Sequence, residues 1–251
     1  MYRTENNRKV LIMDNCKAAL VTGGAKRIGK EICLRLAELG YDIVLTYLSS
    51  VVEAEALAEE ITLMGQSCSI KRCDLTVSRD IPILMEEIFQ EFPQLNLVVN
   101  NASQFERCTL ADTTLEDLDK NLSLHLKTPF MIVQKFAQQC NHGQVINILD
   151  TRITKNRTAY FAYLISKKSL ADFTLLAASE LAPNIRVNGI APGLILAPDG
   201  EDSAYLDRLA TKIPAKRKGS VRDIVNTVEF LVKNDYITGQ ILFNDGGEHL
   251  S

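Results

Sequence analysis

The chain has 251 residues, 46% of them hydrophobic and 24% charged, with 28 basic against 31 acidic side chains and a formal net charge of −3. That length suits one undivided α/β core. The dispersed, slightly acidic charge excludes the basic footprint expected for nucleic acid or an anionic membrane surface, which leaves a small molecule as the expected partner. The six cysteines, at 16, 33, 68, 73, 108 and 140, form no C-x-x-C pair, so neither a disulfide framework nor a metal site is indicated. No apolar run reaches the length of a membrane span and the start is too polar for a signal peptide, so a cytoplasmic protein is expected.

Residues 1–15 precede the first convincing strand and read as an N-terminal tail, with 16–251 as a single domain. Strand candidates follow at 17–22, 42–47, 67–72, 95–99, 144–149, 185–190 and 240–243, rich in β-branched and aliphatic residues with little polar alternation. Such runs suit a parallel sheet covered on both faces. Between the first two, Ile28, Ile32, Leu36 and Leu39 recur at helical spacing before Gly40; between the next two, Ala54, Leu57, Ala58 and Ile61 do so before Gly65. This β-α-β-α-β rhythm, carried along the chain, predicts a doubly wound, seven-stranded parallel sheet with helices on both faces. Ligands of such sheets bind beyond the carboxyl ends of the strands, near the switch in strand order.

"TGGAKRIG", Thr22 to Gly29, sits at the first of those ends and leads into a helix. Glycines there allow a tight turn and close backbone approach, while free N–H groups and the helix dipole attract a pyrophosphate. The second strand ends "LTYLSS", Leu45 to Ser50, without the acid that usually holds a ribose 2′-hydroxyl. Lys26 and Arg27 supply positive charge, and Ser49 and Ser50 can donate to phosphate oxygens, which favours NADPH over NADH. Those serines can equally cap the helix that follows.

In "TAYFAYLISKK", Thr158 to Lys168, read as one helix, Tyr163 and Lys167 lie one turn apart on a single face. Tyr160 lies two turns from Lys167 on a similar face, and Lys168 points elsewhere. A nearby ammonium favours the phenolate and brings tyrosine, with its reference pKa of ~10, toward the working range. Taken alone, Y-x-x-x-K is also a common solvated surface pair.

Context decides between these. Asp150 stands thirteen residues before Tyr163 at the end of the fifth strand, and "NNAS", residues 100–103, follows the fourth. With Thr22-Gly23, Gly29, Asn100 to Ala102, Tyr163/Lys167 and Pro192-Gly193, the chain resembles the short-chain dehydrogenase/reductase family over about residues 16–249. The resemblance implies that Tyr163 is the proton donor and that Lys167 holds the nicotinamide ribose and lowers the tyrosine pKa. It implies a cofactor groove along the strand ends: Gly23, Lys26, Arg27, Ile28 and Gly29; Tyr47, Ser49 and Ser50; Asp74 and Leu75; Asn101, Ala102 and Ser103; His125; and Pro192, Gly193 and Leu194. Asp74, in "CDLT", resembles the family's adenine contact, although an aspartate after a strand is as readily a helix N-cap.

Four residues depart from the common family pattern. Arg27 replaces the middle glycine of the turn, Ser103 the last glycine of N-N-A-G, Asp150 the catalytic serine, and His125 an active-site asparagine. Together with "NNASQF", "RVNGIAPGLIL" and "DGGEHL", the first three are similar to the pteridine reductase and dihydromonapterin reductase branch. That similarity implies a pterin pocket of Arg27, Ser103, Phe105, Asp150 and Tyr163, with Phe105 stacked on the ring and Asp150 joining Tyr163 in proton delivery. A carboxylate can accept from or donate to pterin nitrogens as a serine cannot, and a flat ring suits an aromatic wall; core filling for Phe105 and a turn role for Asp150 are the competing readings. The protozoan pteridine reductases carry histidine and arginine after the second strand, where Leu48 and Ser49 stand here. The activity expected is NADPH-dependent reduction of a 7,8-dihydropterin by a cytoplasmic homotetramer. A carbonyl reductase and a catalytically silent NADP-binding sensor are the alternatives. Residues 195–215 are a candidate lid.

Overall fold

The computed structural model describes residues 17–156, 159–197 and 203–250; the tail at 1–15 lies outside them. Seven strands form one parallel sheet: β1 (Lys17–Val21), β2 (Tyr41–Tyr47), β3 (Cys68–Arg72), β4 (Leu95–Asn100), β5 (Gly143–Ile148), β6 (Ile185–Pro192) and β7 (Ile241–Asn244). The strand order is β3-β2-β1-β4-β5-β6-β7, every neighbouring pair parallel. The order reverses between β1 and β4, which opens a crevice at their carboxyl ends.

Eight α-helices are described: α1 (Arg27–Glu38), α2 (Val51–Leu63), α3 (Ile81–Glu91), α4 (Leu115–Leu122), α5 (Thr128–Gln139), α6 (Phe161–Leu181), α7 (Ser203–Ala210) and α8 (Val221–Lys233). One side of the sheet buries Ile32, Leu36, Leu57 and Ile61 of α1 and α2 with Ile224, Val228 and Leu231 of α8. The other buries Ile81, Met85 and Ile88 of α3 with Ile132 and Phe136 of α5. Each fully buried aliphatic side chain contributes roughly 1.5–3 kcal/mol. The central strands are buried on both faces, Ala18 to Val21 at 0% exposure, which is why they lack polar alternation.

Two local details place the site. Ser123–Lys127, between α4 and α5, is a π-helical turn, a wider coil that re-aims side chains and often marks functional positions. Helix α6 begins at Phe161, with Tyr160 as its non-helical N-cap residue. The expected single helix over 158–168 is therefore corrected: Tyr160 lies outside it, and Thr158 lies outside the described residues. The N–H of Cys108 donates to Ala159 O and that of Phe161 to Cys108 O, drawing the chain before α6 into an extended bridge.

Candidate active site

The turn after β1 is braced before any ligand enters. Thr22 Oγ1 accepts from the backbone N–H groups of Asn101 (2.9 Å) and Ala102 (3.0 Å), and Asn101 Nδ2 donates to Thr22 O and Gly23 O. A Cβ on Gly23, at φ +62°, would stand 2.9 Å from Ala102 Cα; one on Gly29 would stand 2.2 Å from Gly23 O. Only glycine fits at either place. Arg27 has φ 54°, the left-handed region where a glycine is the usual occupant. The N-cap side chain of α1 makes no capping bond and its first turn holds no acid, so the leading N–H groups and the dipole are open to an anion. These residues fit the pyrophosphate of a dinucleotide.

At the ends of β2 and β3 the charges are differently arranged from the expectation. Lys26 pairs with Glu53 at 2.6 Å, on the outer side of the turn. Ser50 occupies the N-cap position of α2 without a side-chain capping bond, so the capping alternative for the serines is not what the structure shows. Arg72, at the end of β3, donates from Nε to Leu48 O and brings a guanidinium beside the Leu48–Ser50 segment. Asp74 Oδ1 accepts from both N–H and Oγ1–H of Thr76, a turn bond rather than a helix cap. Nearby, Thr128 Oγ1 donates to Leu75 O, Cys73 N–H donates to Tyr47 O, and Ile28 packs on the core.

The proposed catalytic residues meet at the ends of β4 and β5. Tyr163 donates its hydroxyl to Asp150 Oδ2 at 2.8 Å, while Asp150 Oδ1 accepts from Arg152 N–H at 2.7 Å. Asp150 thus holds a turn and the phenol at once, one oxygen for each. Lys167 Nζ donates to Ile148 O at 2.8 Å and lies 6.0 Å from the centre of the Tyr163 ring. Burial pushes the Lys167 ammonium down to about 8, against the pull of Asp150. Burial first, then the charge of Asp150 and its bond, hold Tyr163 well above the usual tyrosine range, with Arg152 and Ser103 opposing. The expected lowering of the tyrosine pKa by Lys167 is therefore corrected for the free protein. The tyrosine is a neutral phenol, the form that can give a proton.

His125, carried by the π-helical turn, is 1% exposed and meets Tyr163 edge to face at 5.4 Å. Its Nε2 lies 3.0 Å from Ser103 Oγ and its Nδ1 2.8 Å from Ser166 Oγ. Phe105 stands edge-on to Tyr163 at 4.9 Å and stacks on Tyr160 at 4.2 Å. The Arg152 guanidinium covers both rings, 4.8 Å from Phe105 and 5.3 Å from Tyr160. Across the cleft, Arg27 donates to Ala197 O at 2.9 Å, linking the phosphate turn to the candidate lid. Residues 198–202 of that lid lie outside the described residues; Leu206, Ala210 and Ile213 beyond them pack on Leu194. Gly193, after β6, donates to Asn244 O, and a Cβ there would meet Asp245 Cα at 2.7 Å.

Sequence reasoning passed over Arg72, Arg152 and Ser166. Arg152 carried one signal, its place two residues past Asp150. Tyr160, expected on the helix beside Tyr163, stands at its N-cap instead. The described cysteines are free, and burial pushes Cys68 up to about 12 and Cys73 up to about 11, away from thiolate chemistry.

The doubly wound parallel sheet, the glycine turn at its switch point and the Tyr163/Lys167 pair beside it define an NADP(H)-dependent reductase. Residues 23–249 match the family described as enoyl-(acyl carrier protein) reductase, and the chain belongs to the short-chain dehydrogenase/reductase family. It is 32% identical to the 3-oxoacyl-[acyl-carrier-protein] reductase FabG of Staphylococcus aureus, over 95% of this chain and 100% of that one. Among solved structures, FolM alternative dihydrofolate reductase 1 from Brucella canis, complexed with NADP, superposes with a TM-score of 0.90 at 33% identity, covering 95% of this chain and 96% of that chain. Its Brucella suis counterpart, also with NADP, gives 0.89 at 34% identity, covering 94% and 96%. The cofactor is NADPH, and no described helix is long and apolar enough to cross a membrane.

Proposed function

We propose that this enzyme reduces a 7,8-dihydropterin, of the dihydromonapterin or dihydrobiopterin type, to the tetrahydropterin, with dihydrofolate as a further acceptor through the shared ring. The observation that carries the reading is the Asp150 carboxylate on the Tyr163 hydroxyl, in a chain whose solved relatives include two proteins called alternative dihydrofolate reductases. NADPH, when bound, supplies the hydride. The glycine turn and the N-terminus of α1 hold its pyrophosphate, Lys167 its nicotinamide ribose, and Arg72 and Arg27 bring positive charge to the adenosine 2′-phosphate in place of the absent acid.

The chain's own chemistry is proton delivery. Reducing the C6=N5 bond requires a proton at N5; Tyr163 stands as a neutral phenol to give it, and the proton is restored from solvent, through Asp150 once that carboxylate has itself taken one up. Arg152 N–H fixes the carboxylate, so its free lone pairs face the phenol and the cleft. Phe105 provides an aromatic wall for the flat ring; its stack with Tyr160 and Arg152 is rearranged or shared when a substrate enters. The exposed Phe130 and Leu176 on α5 and α6 support assembly through these helices as a homotetramer. We place the enzyme in the cytoplasm.

The FabG relatives favour a second reading, reduction of a 3-oxoacyl thioester. NADPH absorbance, followed with dihydromonapterin, dihydrobiopterin and an acetoacetyl thioester, separates the two. Turnover with the pterins, lost in Asp150→Ser, is the expected result. Turnover with the thioester alone, or an Asp150→Ser variant that keeps full rate, overturns it.

A further inference from the structure

The segment "DGGEHL", residues 245–250, follows β7 and reaches back to the turn that carries Asp150. Asp245 is 5% exposed, and its carboxylate gathers four donors. Oδ1 accepts from Gly247 N–H at 2.9 Å, and Oδ2 accepts from His249 N–H at 2.7 Å and from the Thr151 hydroxyl at 2.5 Å. Burial opposes the charge, but the bonds from Thr151, His249 and Gly247 outweigh it and hold the Asp245 carboxyl below the usual carboxylate range. The group is therefore an anion that only accepts, and His249 Nδ1, 2.9 Å from Oδ2 and 3.1 Å from Oδ1, is the fourth donor. The backbone around it is closely packed as well. Gly193 lies against Asp245 Cα with no room for a Cβ; Gly246 and Gly247, at φ +62° and +83°, turn the chain against Ala215 and Pro214, and Ala215 N–H donates to Gly246 O at 2.9 Å.

Three of those four donors belong to the segment itself. The fourth, Thr151, comes from 94 positions away, is 2% exposed, and is joined to Asp150 by a peptide bond. We propose that Asp245 and Thr151 are positioning residues: their bond anchors the turn after β5 and so holds the Asp150 carboxylate at its distance from the Tyr163 hydroxyl. The proposal rests on Asp150 and Tyr163 being the proton-delivery pair, and not on which acceptor they serve. The bonds from Arg152 N–H to Asp150 Oδ1, from Ile153 N–H to Asp150 O and from Lys155 N–H to Arg152 O all lie inside the turn. They fix its shape without fixing where it stands. Ile153 packs on the small apolar cluster of Leu149, Leu170 and Ala191, a contact without direction. Two side-chain bonds tie the turn to residues 245–250: the Thr151 hydroxyl to Asp245, and Lys155 Nζ to His249 O at 3.3 Å. The first is buried and adjacent to Asp150, so it carries the position of the carboxylate. Within "DGGEHL" the roles then divide: the aspartate takes the hydroxyl, the glycines make the return, and His249 satisfies the rest of the anion.

The first readout needs no substrate, so its failure is distinct from failure of the pterin reading. The chain has seven tyrosines, few enough for carbon-13 NMR of ring-labelled tyrosine to resolve the hydroxyl-bearing carbon of Tyr163, assigned by the signal lost in Tyr163→Phe. Its shift reports the bond to Asp150, and Asp150→Ala marks the position of the broken bond. Thr151→Val removes the donated proton and keeps the shape of the side chain. The expected result is a Tyr163 signal moved most of the way to its Asp150→Ala position, with Thr151→Ser, which keeps the hydroxyl, at the wild-type position. In turnover, with whichever of the pterin or thioester acceptors the wild type reduces, Thr151→Val raises the KM for the acceptor about tenfold and leaves that for NADPH unchanged, and Thr151→Ser restores it. A merely structural role lowers the thermal midpoint and the fraction of active enzyme but moves neither the Tyr163 signal nor the acceptor KM; that result overturns the proposal. A serine variant that behaves like the valine one overturns it too. Because Asp245 acts through Thr151, adding Asp245→Asn to Thr151→Val shifts the Tyr163 signal no further, and additive shifts count against the argument. Should Thr151→Val fail to fold, Thr151→Ala removes the same hydroxyl with less bulk and is read by the same outcomes.

Discussion

The turn after β1 and the cluster after β5 stand at equivalent places, each at the carboxyl end of a strand in the same parallel sheet, yet they are built from different material. The first is made of backbone. Gly23 and Gly29 leave no room for a Cβ, Asn101 and Thr22 tie the loop to the next strand, and the leading N–H groups of α1 are the proposed binding groups. The second is made of side chains gathered from distant segments: Ser103, His125, Asp150, Tyr163, Ser166 and Lys167. A site that binds a phosphate by backbone dipoles can be written in eight consecutive residues. A site that moves a proton needs donors and acceptors at set distances, and those come from wherever the fold supplies them.

The comparison breaks most sharply at Tyr163. Tyr163→Phe removes the transferable proton and leaves the ring, so turnover should fall by about a thousandfold while NADPH affinity by fluorescence titration stays roughly unchanged. A parallel loss of NADPH binding would mean that the two regions are not separable. Next is Lys167, whose ammonium is kept charged in a dry site. Its folded pKa of about 8 lies below the unfolded 10.5, so the unfolded state binds more protons between those values and stability rises with pH across that window. Below about pH 8 the full cost is present, about 3 kcal/mol; above about pH 10.5 it is gone. Chemical denaturation of the wild type and Lys167→Met should therefore show a gap that shifts in favour of the wild type as the pH rises from about 8 to about 10.5. A gap independent of pH would mean that the lysine keeps its ordinary pKa.

On the backbone side, Gly29→Ala places a methyl 2.2 Å from Gly23 O. NADPH should bind about a hundredfold more weakly, since the turn must open by more than a bond length's tolerance to accommodate it. Circular dichroism and the spectrum of the Tyr163 cluster should stay close to wild type. The smallest expected effect is at Arg72. Arg72→Gln should weaken NADPH about tenfold and NADH little, with the difference shrinking as salt is added; equal losses for both cofactors would remove Arg72 from the 2′-phosphate.

The glycine turn, the run of double-sided strands and the Tyr163/Lys167 spacing were legible because each is a local pattern with a local physical cause. Positive φ at Gly23, burial of β1 on both faces and a single helical turn between Tyr163 and Lys167 are all properties of a few adjacent residues. Asp150 was legible by its distance from Tyr163, though its division of labour between Arg152 N–H and the phenol was not.

What tertiary structure alone decided is which groups share a volume. Arg152 and Tyr160 join Phe105 because the chain before α6 is drawn out by its bridge to Cys108, so that the helix begins at Phe161 and not at Thr158. Lys26 is committed to Glu53 across the ends of the neighbouring β1 and β2, and Arg72 stands beside Leu48 because β2 and β3 are neighbours in register. The direction of the Tyr163 shift also belongs to the fold. A lysine four residues away lowers a tyrosine pKa in water-exposed helices, but here both are buried and the nearer charge is a carboxylate, so desolvation and Asp150 prevail. Sequence by itself determined the frame and the chemical vocabulary; burial and long-range contact determined which proton each group holds.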